Sequence, residues 1–169
     1  MKERPLDLKA KDIRLILAGK KTCLHRMMRP QPVMDDGFLT LNNQLLHDAH
    51  AIKLCPYGQP GNQLWIRETW CETLTDLGAV IAYRAGGCIV IGRSSPQEDD
   101  HLIHDYSFAE TPEPDFDGWQ SSREMPRWAS RLLLEITNVR TQHIPHSGCR
   151  EKWFWAIDFK AIKQGKAAQ

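Results

Sequence analysis

A chain of 169 residues with 22 Lys plus Arg against 21 Asp plus Glu has a net charge of only +1. That balance excludes the global basic character of many duplex-binding proteins and leaves room only for a local nucleic-acid patch. The length suits one domain with a real core, and no apolar run approaches the roughly 18 to 20 residues of a membrane span.

Residues 1–5 lack the apolar region of a signal peptide, so a cytoplasmic protein with no membrane partner is expected. The five cysteines, Cys23, Cys55, Cys71, Cys88 and Cys149, show no two-residue spacing, and neither a disulfide framework nor a zinc site is indicated. No cofactor is expected.

Residues 8–18 fit a helix. Ala10, Ile13, Ile16 and Leu17 follow helical spacing, Asp7 is placed to cap the start, and Gly19 suits a left-handed stop. The run Gly19-Lys20-Lys21-Thr22-Cys23-Leu24-His25-Arg26 leaves the helix, and by itself it reads as a solvated basic loop. Prolines then break the chain. Residues 38–41 with Leu45 and Leu46 fit a hairpin through Asn42-Asn43, residues that tolerate positive φ, and residues 52–54 read as a short strand.

Residues 55–70 combine a loop set by Pro56, Gly58, Pro60 and Gly61 with a strand over 63–67. There Leu64 and Ile66 share one face and Trp65 and Arg67 the other, with Glu68 at the strand end. Opposite charges between two tryptophans fit either a wet structural corner or the rim of a pocket that stacks on a planar, polar group.

Residues 80–83 and 89–91 read as strands joined across Ala85-Gly86-Gly87. Residues 94–117, with three prolines and eight carboxylates, read as an exposed excursion. Met125-Pro126-Arg127-Trp128-Ala129-Ser130-Arg131 then feeds a strand with Leu132, Leu134 and Ile136 on one face. In a last strand over 153–160, Trp153, Trp155, Ile157 and Phe159 alternate with Phe154, Ala156, Asp158 and Lys160. Trp153 and Trp155 read as core. The pattern predicts an α+β fold: a small, mainly antiparallel barrel with one N-terminal helix packed against it and long irregular loops. A single domain over 1–163 and a loose tail over 164–169 are expected.

Basic and aromatic residues gather in three segments: Lys20, Lys21, His25 and Arg26; Trp65, Arg67, Glu68 and Trp70; Arg127, Trp128 and Arg131. Cations that meet phosphates beside aromatic faces that stack on bases are the equipment of single-strand and nucleotide binders. The histidine pairs His47/His50, His101/His104 and His143/His146 lie in no convincing helix and lack a completing carboxylate or thiol, so no metal site is expected. Lys21 as base or nucleophile, and Glu68 as a proton carrier, are the catalytic candidates.

Gly19-Lys20-Lys21-Thr22 with Arg26, the Cys-Pro-Tyr-Gly-x-Pro-Gly-x-x-Leu-Trp-Ile-Arg-Glu-Thr-Trp motif, Met-Pro-Arg-Trp-Ala-Ser-Arg and the Trp-rich last strand together resemble the ASCH superfamily, in particular its phage and prophage members. The resemblance covers roughly residues 4–160. It implies a PUA-like β-barrel, in the bacterial host cytoplasm, whose cleft receives RNA or a modified nucleoside or nucleotide. Lys21, Arg26, Arg67, Glu68, Arg127 and Arg131 would line that cleft, and Trp128 would be a stacking surface.

Some ASCH proteins are acetylcytidine amidohydrolases that use a lysine, a threonine three residues later and a downstream glutamate, and others are ribonucleases. Lys21 matches the lysine, while Leu24 stands at the threonine position and Thr22 is a different position. Only the short segment 140–152, with Glu151, precedes the last strand, so a hydrolase reading leaves two roles unfilled. A further alternative has the excursion over 98–117 contact a host protein.

Overall fold

The computed structural model describes residues 1–36, 38–42, 44–46, 52–75, 78–91, 118–144 and 152–163. The acidic excursion, the tail from 164, Asn43, Cys149, Glu151 and every histidine of the three pairs except His143 lie outside the described residues.

Among the described residues strands dominate: β1 (Glu3–Asp7), β2 (Cys23–Met27), β3 (Val33–Asp35), β4 (Phe38–Leu41), β5 (Gln44–Leu45), β6 (Gln63–Arg67), β7 (Trp70–Thr75), β8 (Gly78–Tyr83), β9 (Cys88–Ile91), β10 (Leu132–Ile144) and β11 (Lys152–Lys163), beside the helix α1 (Ala10–Leu17). They form a five-stranded sheet in the order β1-β6-β10-β11-β2 and two three-stranded sheets, β3-β4-β5 and β7-β8-β9. Pairing is antiparallel for β11 with β2 and throughout both small sheets. The expected α+β, sheet-rich class is what the chain adopts. Among the described residues, however, no ladder joins β1 to β2 and no closed barrel is formed. No described helix is long and apolar enough to cross a membrane.

The chain's contacts group into two compact units. The first comprises Met1–Arg4, Lys21–Leu64 and Leu133–Ile162. Its β2 is an edge strand where a basic loop was expected. Leu24 and Met28, four apart on one face, are buried, while His25 is exposed. Register pairs Arg26 with Trp155, Leu24 with Ile157 and Cys23 with Asp158. Trp155, Ile157 and Phe159 are core as expected, whereas Trp153 is only half-buried, its ring centroid 5.1 Å from that of His143.

The hairpin over β4 and β5 turns as expected through Asn42 at φ 50°. Residues 52–54 are a helical turn, not a strand, because three residues are too short a window for periodicity to separate the two. The loop after them bends at Gly58 (φ +129°), where an added Cβ would lie 3.2 Å from Asn62 Oδ1 and 3.2 Å from Ile136 Cδ1.

The second unit is built on Pro5–Lys20 and Trp65–Leu132. Helix α1 begins later than expected, and Lys9 rather than Asp7 is its N-cap. Asp7 ends β1, and its carboxylate is taken by Arg67. Ile13 and Ile16 are buried while Leu17 is 51 % exposed, so the apolar stripe is narrower than its spacing implied. Gly19 (φ 68°) makes the expected stop.

In the β7-β8-β9 sheet the central strand buries both faces. Ile81 and Tyr83 pack with Trp70, Met125 and Ala129, while Val80 and Ala82 pack with Cys71 and Cys88. The expected turn through Ala85-Gly86-Gly87 is present, with Tyr83 N–H donating to Gly87 O at 3.1 Å.

Candidate functional site

In the first unit, β2 and the turn after Cys55 border a pocket of about 400 Å³ lined by His25, Arg26, Met27, Arg29, Pro56, Tyr57 and Trp155. Small-ligand pockets start at about 300 Å³. Among the described lining residues, three are basic or titratable to a cation and none is a carboxylate. Trp155 is a buried aromatic surface, and Tyr57 is a half-buried one. His25, Arg29 and Pro56 are exposed, so the pocket opens to solvent.

Two side chains far from one another in sequence brace its walls. Gln31 Nε2 donates to Met28 O at 2.6 Å and Trp153 O at 3.2 Å, and its Oε1 accepts from Trp153 N–H at 2.8 Å. One amide thus ties the segment carrying Arg29 to β11. On the other wall, Arg4 Nη1 donates to Pro56 O at 2.7 Å.

His25 also belongs to a polar row along the same sheet. Its Nε2 donates to Gln142 Oε1 at 2.9 Å and stands 4.0 Å from Cys23 Sγ. Burial, and then the hydrogen bond to Asp158 and that residue's charge, push the Cys23 thiol up to about 11. A thiol held neutral in this way is a poor nucleophile. Burial alone would raise the Asp158 carboxyl. Hydrogen bonds from Cys23 and Arg140, the charge of Arg140 and a bond from Asn138 outweigh it, so Asp158 lies below its ordinary value.

Lys21, which aligns with the lysine of the resemblance, opens the second segment of the first unit just before β2 and is half-buried. Leu24, at the threonine position, is 2 % exposed and faces Ile157 in register. The Thr22 carbonyl accepts from Phe159 N–H at 2.9 Å, extending the β2–β11 ladder, and the Thr22 side chain is exposed.

The remaining predicted residues lie in the second unit. Glu68 is 2 % exposed and receives both ends of the Arg131 guanidinium, Nε to Oε1 at 2.8 Å and Nη2 to Oε2 at 3.0 Å. Arg131 Nη1 also donates to Gly86 O at 2.6 Å, and its Cζ lies 4.2 Å from the Tyr83 ring centroid. Burial pushes the Glu68 carboxyl above its ordinary range, and the charge and hydrogen bonds of Arg131 act against that push. Tyr83 donates its hydroxyl to Ala129 O at 2.6 Å, and burial drives that hydroxyl well above its usual titration range. Ser130 Oγ donates to Ile66 O at 2.7 Å. The Met-Pro-Arg-Trp-Ala-Ser-Arg motif is therefore a clasp, with Met125, Ala129, Ser130 and Arg131 turned inward.

Its outward side is Trp128, 64 % exposed, and half-exposed Arg127, whose Cζ lies 5.9 Å from the Trp65 ring centroid. Arg67 lies 5.8 Å from the same centroid. Its guanidinium is held by Asp7 at 2.9 Å through both Nε and Nη2, so its charge is balanced locally.

No family model, curated protein or solved structure matches this chain.

Of the pocket, the sequence pointed to Arg26, with His25 beside it, but not to Arg29 or Tyr57. Arg29 sits in a proline-broken segment that signals only a turn, and Tyr57 in a Pro-Tyr-Gly corner. A large aromatic isolated in a tight turn was the available signal, because such a ring has no strand or helix face on which to be buried. Among the described residues, no group of three or more His, Cys, Asp or Glu is arranged to hold a metal ion.

Proposed function

We propose that this chain binds RNA, or a single nucleotide unit of it, through the basic and aromatic pocket of the first unit, as a PUA-like ASCH protein of the kind encoded by phages. The observation that carries the reading is that Arg26 and Arg29 border, with Tyr57 and Trp155, one braced pocket in which no described lining residue is a carboxylate. Guanidinium forks bind phosphate oxygens, and aromatic faces accept a base or ribose. The family part of the reading comes from the motif resemblance, and the antiparallel sheets support the coarser, sheet-rich α+β class.

Binding is preferred to hydrolysis because Leu24 offers no hydroxyl and is committed to the core. In this reading Glu68 and Arg131 hold the clasp together and take no part in proton transfer. In the second unit Trp128 is exposed and Arg127 lies over the Trp65 ring.

In fluorescence anisotropy with a short single-stranded RNA, Arg26→Ala and Arg29→Ala should each weaken binding by about 5- to 100-fold and each reduce the slope of log affinity against log salt by about 1. Unchanged affinity and slope in both variants would reject the reading.

A further inference from the structure

We infer that the pocket selects a phosphate monoester on a nucleotide, either a free mononucleotide or the 5′-phosphorylated end of an RNA, over the diester backbone of an internal stretch. The inference rests on the proposed function and names its ligand more closely. An internal strand presents one charge per phosphate and is matched by cations spaced along a groove. A monoester concentrates about −1.5 to −2 charges on one group with three acceptor oxygens.

The cations here are concentrated in the same way. Arg26 and Arg29 lie within four consecutive residues and border a single pocket of about 400 Å³.

Rigidity points the same way. The Gln31 bonds fix the segment bearing Arg29, and the Arg4 bond to Pro56 fixes the wall bearing Tyr57. Walls held in place before binding favour a compact ligand whose charge and ring sit at fixed positions, because little ordering is left to be done on association. Half-buried Tyr57 provides apolar surface for the base or ribose beside the phosphate, and Trp155, 2 % exposed, backs the pocket from the core.

The test compares the full chain's affinity for adenosine 5′-monophosphate against adenosine, and for a 5′-phosphorylated RNA against the same RNA with a 5′-hydroxyl. Arg29→Ala and Arg29→Gln are measured in parallel, after thermal melting shows both folded. The phosphate-bearing member of each pair should bind about 10- to 100-fold tighter, with most of that preference lost in both variants. A mononucleotide that equals the phosphorylated RNA identifies the free nucleotide as the ligand, and an RNA that binds much more tightly identifies the 5′ end. Equal binding of both RNAs, weakened alike by the Arg29 variants, overturns the monoester inference and leaves the pocket as a strand-binding site. Failure of every probe to bind, or binding that the Arg29 variants leave untouched, overturns both readings.

Discussion

Arg131→Ala should cost about 3–5 kcal/mol of stability, measured by denaturant unfolding, because it leaves a carboxylate of 2 % exposure without its counter-charge. The same change removes the bond to Gly86 O and the guanidinium over Tyr83. Arg131→Lys should recover only part of the loss, since an ammonium cannot present the fork that grips both Glu68 oxygens.

The pH dependence of the Arg131→Ala variant has a definite sign. Without Arg131, only burial acts on Glu68, and its folded-state titration lies well above the unfolded one. The folded variant then holds a proton that the unfolded chain has released, so its deficit relative to wild type grows as pH rises through about 4 and shrinks again in acid. A deficit that is independent of pH would show that lost packing, not the orphaned charge, is the cause. Replacing both partners by apolar residues of similar volume should restore most of the stability, because desolvation of the pair is then avoided.

Trp155→Ala should be of comparable size, about 3–5 kcal/mol, for a different reason. The indole is 2 % exposed, and its removal leaves a cavity in the five-stranded sheet's core. It also strips the pocket of its buried aromatic surface, so RNA affinity measured on the folded fraction should fall as well. Trp155→Phe, which retains an aromatic ring, should keep most of both. Loss of stability with undiminished affinity would remove Trp155 from the binding surface and leave it as core alone.

Some strands are legible in the sequence because their apolar residues alternate cleanly, and β8 because residues 80–83 form a short apolar run that ends at a glycine turn. β6, with Leu64 and Ile66 buried, and β11, with Trp155, Ile157 and Phe159 buried, follow the alternation. The two strands of the large sheet that escaped notice, β1 and β2, are its two edges. Edge strands bury little, carry charge and tolerate proline, as Arg4, Pro5, His25 and Arg26 illustrate, and those features are also the marks of a loop. β7 was hidden differently. Trp70 and Cys71 are consecutive and both buried, because they pack into separate clusters on opposite faces, and the alternation disappears.

The site divides along the same line. Arg26 could be found by counting cations, but no local rule brings Tyr57 beside it. Glu68 drew attention as a charge next to a strand end, whereas its partner lies 63 residues away and only the fold joins them.

Whether RNA enters the pocket of the first unit is tested by an NMR titration of the isotope-labelled chain with single-stranded RNA. Saturable shifts, with one common dissociation constant, are expected in the amides of His25, Arg26, Arg29 and Tyr57 and in the Trp155 indole N–H. Shifts confined to Trp65, Arg127 and Trp128, or no shifts at saturating RNA, would contradict entry at this pocket.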